Sequence, residues 1–112
     1  MRREQDAQRD WKSADYSERT QKNVVDSDGT LIVNSGTLDG GTLKTVQLAK
    51  KFGKPHLVLQ LDFGVGDDEA QQLLDWLRRE SIAILNVAGP RESKRRGIYT
   101  LVNELLHLAD SK

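Results

Sequence analysis

The 112 residues are the length of one ordinary domain, and 37% of them are hydrophobic against 30% charged, enough apolar mass for a core beneath a heavily charged surface. The 17 Lys and Arg are balanced by 17 Asp and Glu, so no net field steers the protein toward nucleic acid or an anionic membrane, and any ligand preference has to come from local groups. The absence of cysteine excludes disulfides, thiolate catalysis and Cys-based zinc sites and fits a reducing compartment.

The chain starts Met-Arg-Arg-Glu-Gln-Asp with no apolar run behind it, unlike a signal peptide. No stretch approaches the roughly 20 apolar residues that cross a bilayer. A cytoplasmic protein without a membrane partner is expected. Residues 1–22 are polar and charged apart from Trp11 and Tyr16 and read as an N-terminal arm or helix; residues 23–112 read as a single domain. Gly29-Thr30-Leu31-Ile32-Val33 is the first strand. A glycine-rich turn follows, and Leu43, Val46, Ala49 and Phe52 then recur at helical spacing. Gly53 suits the position just past that helix and Pro55 prevents its continuation.

His56-Leu57-Val58-Leu59-Gln60-Leu61 reads as a second strand, residues 62–68 as a loop with Asp67 or Asp68 as N-cap, and Ala70, Leu73, Leu74 and Leu77 as one face of a helix. Ile82-Ala83-Ile84-Leu85-Asn86-Val87 is the third expected strand. After Gly89-Pro90, Ile98, Leu101, Val102, Leu105 and Ala109 form the stripe of a last helix. The order is β-α-β-α-β-α. Near-continuous apolar strands imply a sheet covered on both faces, and alternating units imply parallel strands with right-handed crossovers. The expectation is a three-layer Rossmann-like α/β fold with a small, mostly parallel sheet. At least one open edge would then need cover from the N-terminal arm or from a partner subunit, which points to a homodimer or higher oligomer.

In such sheets ligands bind outside the carboxyl ends of the strands. Two loops there carry unusual residues. Asn34-Ser35-Gly36-Thr37-Leu38-Asp39-Gly40-Gly41-Thr42 leads a strand into a helix, where glycines let backbone amides approach an anion and the helix dipole favours negative charge. Ser35, Gly36, Gly40, Gly41 and Thr42 are therefore candidate phosphate contacts. It matches neither the dinucleotide fingerprint nor a Walker A loop, and a turn that merely needs positive φ angles would look the same. The second loop, Ala88-Gly89-Pro90-Arg91-Glu92-Ser93-Lys94-Arg95-Arg96, places four basic residues around a helix start, where cations are disfavoured by about 0.3–1 kcal/mol each unless an anion is bound. Arg91 offers a fork and Ser93 a hydroxyl; residues 94–96 read as a solvated run.

Asp62, about 20 residues past the glycine turn, stands where a Rossmann acid would hold ribose hydroxyls, or is a solvated loop residue. Asp26-Ser27-Asp28 lies at the amino end of a strand, away from the crevice, and reads as an Asx turn rather than a metal site. His56 and His107 have no metal-ligand neighbours and read as structural, as do Trp11 and Trp76. No nucleophile–base constellation can be assembled, so no catalytic or metal-ligating residue is assigned.

Asn23-Val24-Val25-Asp26-Ser27-Asp28-Gly29-Thr30-Leu31-Ile32, then Gly40-Gly41-Thr42, Gly53-Lys54-Pro55 and Asn86-Val87-Ala88-Gly89-Pro90-Arg91-Glu92-Ser93 resemble the family of putative molybdenum carrier proteins, also described as circularly permuted YpsA-like proteins. Tyr16, Glu18, Arg19 and Thr20 resemble the segment leading into that family's Asn-Val-x-Asp-Ser-Asp stretch. The family belongs to a Rossmann-like group with the LOG phosphoribohydrolases and DprA. The resemblance covers about residues 15–107. It implies a three-layer fold and a phosphate-bearing ligand, a nucleotide or the molybdenum cofactor with its molybdopterin, held by Ser35, Gly36, Gly40, Gly41 and Thr42 with Gly89, Pro90, Arg91 and Ser93 opposite.

Family members usually begin with a strand and a Gly-Gly-Gln-Thr-Gly-x-Asp-Arg type segment, which is not found upstream of Trp11. A truncated product, a mis-assigned start, or a short variant that completes its sheet by dimerising is expected, with half of the phosphate cradle missing. The leading reading is a binding protein with little or no catalysis. Two alternatives stand beside it: a nucleotide-processing enzyme akin to the LOG phosphoribohydrolases, and a structural module that binds no ligand. The enzyme reading wants a glutamate on the helix after Gly40-Gly41-Thr42, where none occurs.

Overall fold

The computed structural model describes residues 11–112, with side chains from Glu18 onward; the first ten residues of the expected N-terminal arm lie outside the described residues. Seven elements follow in chain order: α1 (Trp11–Asp26), β1 (Gly29–Asn34), α2 (Gly40–Lys51), β2 (His56–Gln60), α3 (Asp67–Arg79), β3 (Leu85–Ala88) and α4 (Ile98–Asp110). The first helix runs without a break through position 22 into Asp26. No described helix is long and apolar enough to cross a membrane.

The three strands are parallel in the order β2-β1-β3. Every residue of β1 is buried, as its Thr-Leu-Ile-Val run requires of a central strand covered on both faces. Its alternation splits the core. Leu31 and Val33 join Leu59, Leu61, Ala70, Leu73, Trp76, Leu105 and Ala109 under α3 and α4, while Val24, Leu48 and Ala49 make a smaller cluster between α1 and α2. α1 packs on α2 and α3 on α4. Right-handed crossovers explain this pairing: the chain leaves β1 in one direction to reach β2 and then crosses back past β1 to reach β3, so α2 and α3 fall on opposite faces. The result is the expected three-layer, Rossmann-like α/β architecture, with α1 added ahead of the first strand.

Two local details differ from the pattern read in the sequence, while Trp76 packs as expected. The third strand begins at Leu85 rather than Ile82, because the Asp28 carboxylate accepts the amides of Ala83 and Ile84 at 3.0 and 2.7 Å and removes that segment from the ladder. Asp28 thus closes the entrance of β1 against β3, and those two backbone donors hold its carboxyl below the usual carboxylate range. The N-cap of α3 is Gly66, not Asp67 or Asp68: Glu69 reaches back to accept the Gly66 amide at 2.7 Å, and both aspartates sit in the first turn, where the dipole favours them. Trp76 is buried beside Gly29, at which an added Cβ would come within 3.1 Å of the indole.

Both β2 and β3 are sheet edges that pair with no further described strand. Along and beside β3, Ile84, Val87 and Tyr99 stay exposed.

Candidate functional site

The carboxyl ends of β1 and β3 diverge into loops whose helices go to opposite faces, α2 to one and α4 to the other. That divergence is a topological switch point, the place where open α/β sheets keep their ligands. A cavity of about 360 Å³ lies there. Thr20 and Asn23 from α1, Thr45 from α2, Asn86–Arg91 from β3 and its following loop, and Tyr99 and Val102 from α4 contribute to its wall. Two of these hydroxyl and amide groups already have partners in the chain: Thr45 Oγ1 donates to the Gly41 carbonyl at 3.0 Å, and Asn86 Nδ2 donates to Thr30 Oγ1 at 3.3 Å.

Gly89 makes the close approach of the two strands possible. A Cβ there would lie 2.7 Å from the Val33 carbonyl oxygen, closer than such atoms pack. Pro90, the next residue, is buried and turns the chain away from the sheet. Arg91 then follows at the rim, exposed, and among the described residues no carboxylate lies within ion-pair distance of its guanidinium.

Several other anion-attracting groups near this edge are held by groups of the chain itself. The Gly36 amide, in a residue of φ +74°, donates to Asp62 Oδ1 at 2.6 Å. Asn34, buried at the end of β1, donates to the Gly36 carbonyl and to Gln60 Oε1; Gln60 in turn donates to the same carbonyl and to Asp62 Oδ2. The turn is therefore sealed on its β2 side. On its other side Lys94 Nζ donates to Asp39 Oδ1 at 2.6 Å, and Arg95 donates to the carbonyls of Ser35 and Thr37 at 2.7 and 3.1 Å. Lys94 and Arg95 both act on the Asp39 carboxyl and hold it below its ordinary range, Lys94 more strongly. Asp39 is the residue before α2, yet its side chain does not cap that helix.

The start of α4 is occupied in the same way. Glu92 accepts the amides of Gly97 and Tyr99 at 2.6 and 3.1 Å, which keeps its carboxyl low, with Arg96 adding a smaller pull. Within the basic run around this helix start, Lys94 and Arg95 face Asp39 and Glu92 takes the helix amides, whereas Arg91 has no carboxylate partner among the described residues.

A family model described as the circularly permutated YpsA SLOG family matches residues 4–109. The chain belongs to this family. Its structure is also similar to the crystal structure of a protein from Syntrophus aciditrophicus SB described as a "Putative molybdenum carrier protein", with a TM-score of 0.82 and 40% identity over 94% of this chain; the chain spans 64% of the length of that protein. None of the curated proteins matches.

Within this SLOG-family chain the expected site residues fall into two groups. Gly89, Pro90 and Arg91 are on the crevice wall. Ser35, Gly36, Gly40, Gly41, Thr42, Asp62 and Ser93 are not, although Gly41 touches it through Thr45. Asp62 meets the Gly36 amide rather than the crevice. Residues 94 and 95, read as a solvated run, reach across to the glycine turn instead. Sequence reasoning missed Thr45, Asn86 and Tyr99 as wall residues. Thr20 and Asn23 lay in the segment that carried the family resemblance, and that was the one signal that could have placed them.

Proposed function

We propose that the protein binds a phosphate-bearing small molecule, a nucleotide or a molybdopterin-type cofactor, in the crevice between the carboxyl ends of β1 and β3. Arg91 carries the reading: it stands on the wall at the switch point, with no carboxylate partner among the described residues, while the neighbouring cations Lys94 and Arg95 are committed to the chain. A guanidinium fork presents two parallel donors to the oxygens of one phosphoryl group. The other wall groups are amides, hydroxyls and apolar side chains, which bind and orient a ligand. The Syntrophus protein's description as a molybdenum carrier agrees with that reading.

Isothermal titration calorimetry with AMP, molybdopterin, molybdate and inorganic phosphate tests this. Binding of a phosphorylated probe that weakens by about ten- to a hundredfold in Arg91→Ala, with the fold intact, is expected. Absence of binding by every phosphorylated probe would overturn the reading, and product formation from a nucleotide would replace it with an enzyme.

A further inference from the structure

We propose that the open edge of β3 takes up a second copy of this chain, the two β3 strands pairing antiparallel across a two-fold axis to join their sheets into one. This goes beyond the ligand reading above and does not rest on it.

The directions of the backbone groups come first. In β1 the Thr30 amide donates to the Pro55 carbonyl and the Asn34 carbonyl accepts from the Leu61 amide, so these residues turn toward β2. The residues alternating with them, Leu31 and Val33, turn toward β3. Leu31 stands opposite Val87. In a parallel ladder its slanted bonds go to the residues on either side of that partner, Asn86 and Ala88. The N–H and C=O groups of Leu85 and Val87 therefore point away from β1 and out of the sheet. In an antiparallel pair centred on Asn86, Leu85 of one copy exchanges both bonds with the partner subunit's Val87, and the reverse holds across the axis. The row of donors and acceptors is thus complementary to itself. Parallel pairing would lack the two-fold axis and leave an edge for further copies.

The two edges of the sheet also differ in how they are guarded. Lys54 and Pro55 lead into β2 and Asp62 follows it, and charge and proline discourage strand addition. From Ser81 to Pro90 no residue is charged. A two-fold axis at β3 therefore brings no like charges together along the strand, and the chain as a whole carries a formal net charge of zero.

The flank of β3 supplies the apolar area. Leu85 and Val87 share the face of Leu31, and Val87 is still 40% exposed. Tyr99, Val102 and Leu106 stand three and four residues apart on α4 and form one stripe, of which Tyr99 and Leu106 are exposed. Val87, Tyr99 and Val102 line the same cavity, which sets this stripe beside the open edge. A second copy brings an identical strand and stripe, so the two bury each other as an isologous interface requires. Gly89 and Arg91 lie past Val87, beyond the paired residues.

Sedimentation velocity on the full chain, from about 1 µM to about 1 mM, tests this together with amide hydrogen exchange. A dimer is expected, with the Leu85 and Val87 amides protected at high concentration and exposed on dilution, while the Asn86 amide stays protected throughout. Val87→Lys and, separately, Tyr99→Glu should each weaken the dimer by about tenfold or more with circular dichroism unchanged. Phe63→Ser, at an exposed residue of the loop after β2, should leave it intact. Mixing Val87→Lys with Val87→Glu should restore association, because diagonal neighbours on one face of an antiparallel pair are within reach of long side chains. A monomer over the whole range overturns the proposal, and protection of Leu85 and Val87 in that monomer would give the edge to a segment of the same chain. A dimer in which those two amides exchange freely, a dimer unmoved by both substitutions, or an open-ended series of larger assemblies overturns it too. None of these outcomes decides whether the crevice binds a phosphorylated ligand.

Discussion

The Gly36 amide donates to the Asp62 carboxylate at 2.6 Å, joining the turn after β1 to the loop after β2. An amide of positive φ at the end of a central strand is the kind of donor that cradles a phosphate. Here a carboxylate of the same chain has taken it. The anion site proposed above accordingly lies on the β3 side of β1, where Arg91 stands.

Asp62→Ala follows from that relation. It frees the Gly36 amide and unties Gln60, whose Nε2 also donates to Asp62. The bonds are exposed, so the expected loss is about 1 kcal/mol, a few degrees in Tm. Ligand affinity should stay within about threefold of the parent, because Asp62 is off the crevice wall. A loss matching that of Arg91→Ala would place the ligand in the glycine turn instead. Thermal denaturation together with calorimetry separates the two effects.

Gly89→Ala acts on the strands themselves. The new methyl would meet the Val33 carbonyl at 2.7 Å and the Val33 Cγ2 at 3.0 Å, and neither can retreat without parting β1 from β3. Overpacking of this kind costs about 1–3 kcal/mol, readable as a lower urea midpoint at unchanged m. Unlike Asp62→Ala, it should also weaken ligand binding, since the crevice floor moves.

How far these relations could be read from the residues depends on their range. Leu31-Ile32-Val33 and Leu57-Val58-Leu59 announce buried parallel strands because burial on both faces leaves no alternation, and the stripes through Leu73 and Leu105 announce their helices. The start of β3 could not be placed, because the group that displaces Ile82-Ala83-Ile84 from the ladder is Asp28, 55 residues earlier. Lys94 and Arg95 look like a solvated run for the same reason: a cation reaching across to Asp39 or Ser35 leaves no mark on local composition. Arg91, Gly89 and Pro90 were legible because they stand directly behind a strand, and strand ends are where parallel sheets keep their ligands. Thr45, Asn86 and Tyr99 enter the crevice only through the packing of three separate elements.

Acid should loosen the two loops together. Asp28, Asp39 and Glu92 all have carboxyls held below their ordinary values of 3.8, 3.8 and 4.5 by amide or ammonium donors. With folded pKa values depressed, the unfolded chain binds more protons in this window, so stability rises with pH. The contribution is complete above about pH 5 and is lost as pH falls through the folded values. Glu92→Gln should therefore be less stable than the parent at pH 7 and lose less on acidification to pH 3. Equal acid limbs in the two proteins, followed by circular dichroism, would contradict the assignment of Glu92 as an ionised cap of α4.

Arg95 gives the sharpest distinction between charge and geometry. Its Nε and Nη2 donate to the carbonyls of Ser35 and Thr37, and its side chain is only 22% exposed. A lysine keeps the charge and could still face Asp39, but it has no planar fork with which to hold two carbonyls at once. Arg95→Lys and Arg95→Ala should thus loosen the glycine turn to similar extents. Lys94→Ala should do less to the turn, because Lys94 holds only the Asp39 carboxylate, at a surface where solvent screens ion pairs. Amide hydrogen exchange at Gly36 reads this directly: its protection should fall in both Arg95 variants and persist in Lys94→Ala. Full protection in Arg95→Lys would mean that the positive charge alone orders the turn and that the fork is dispensable.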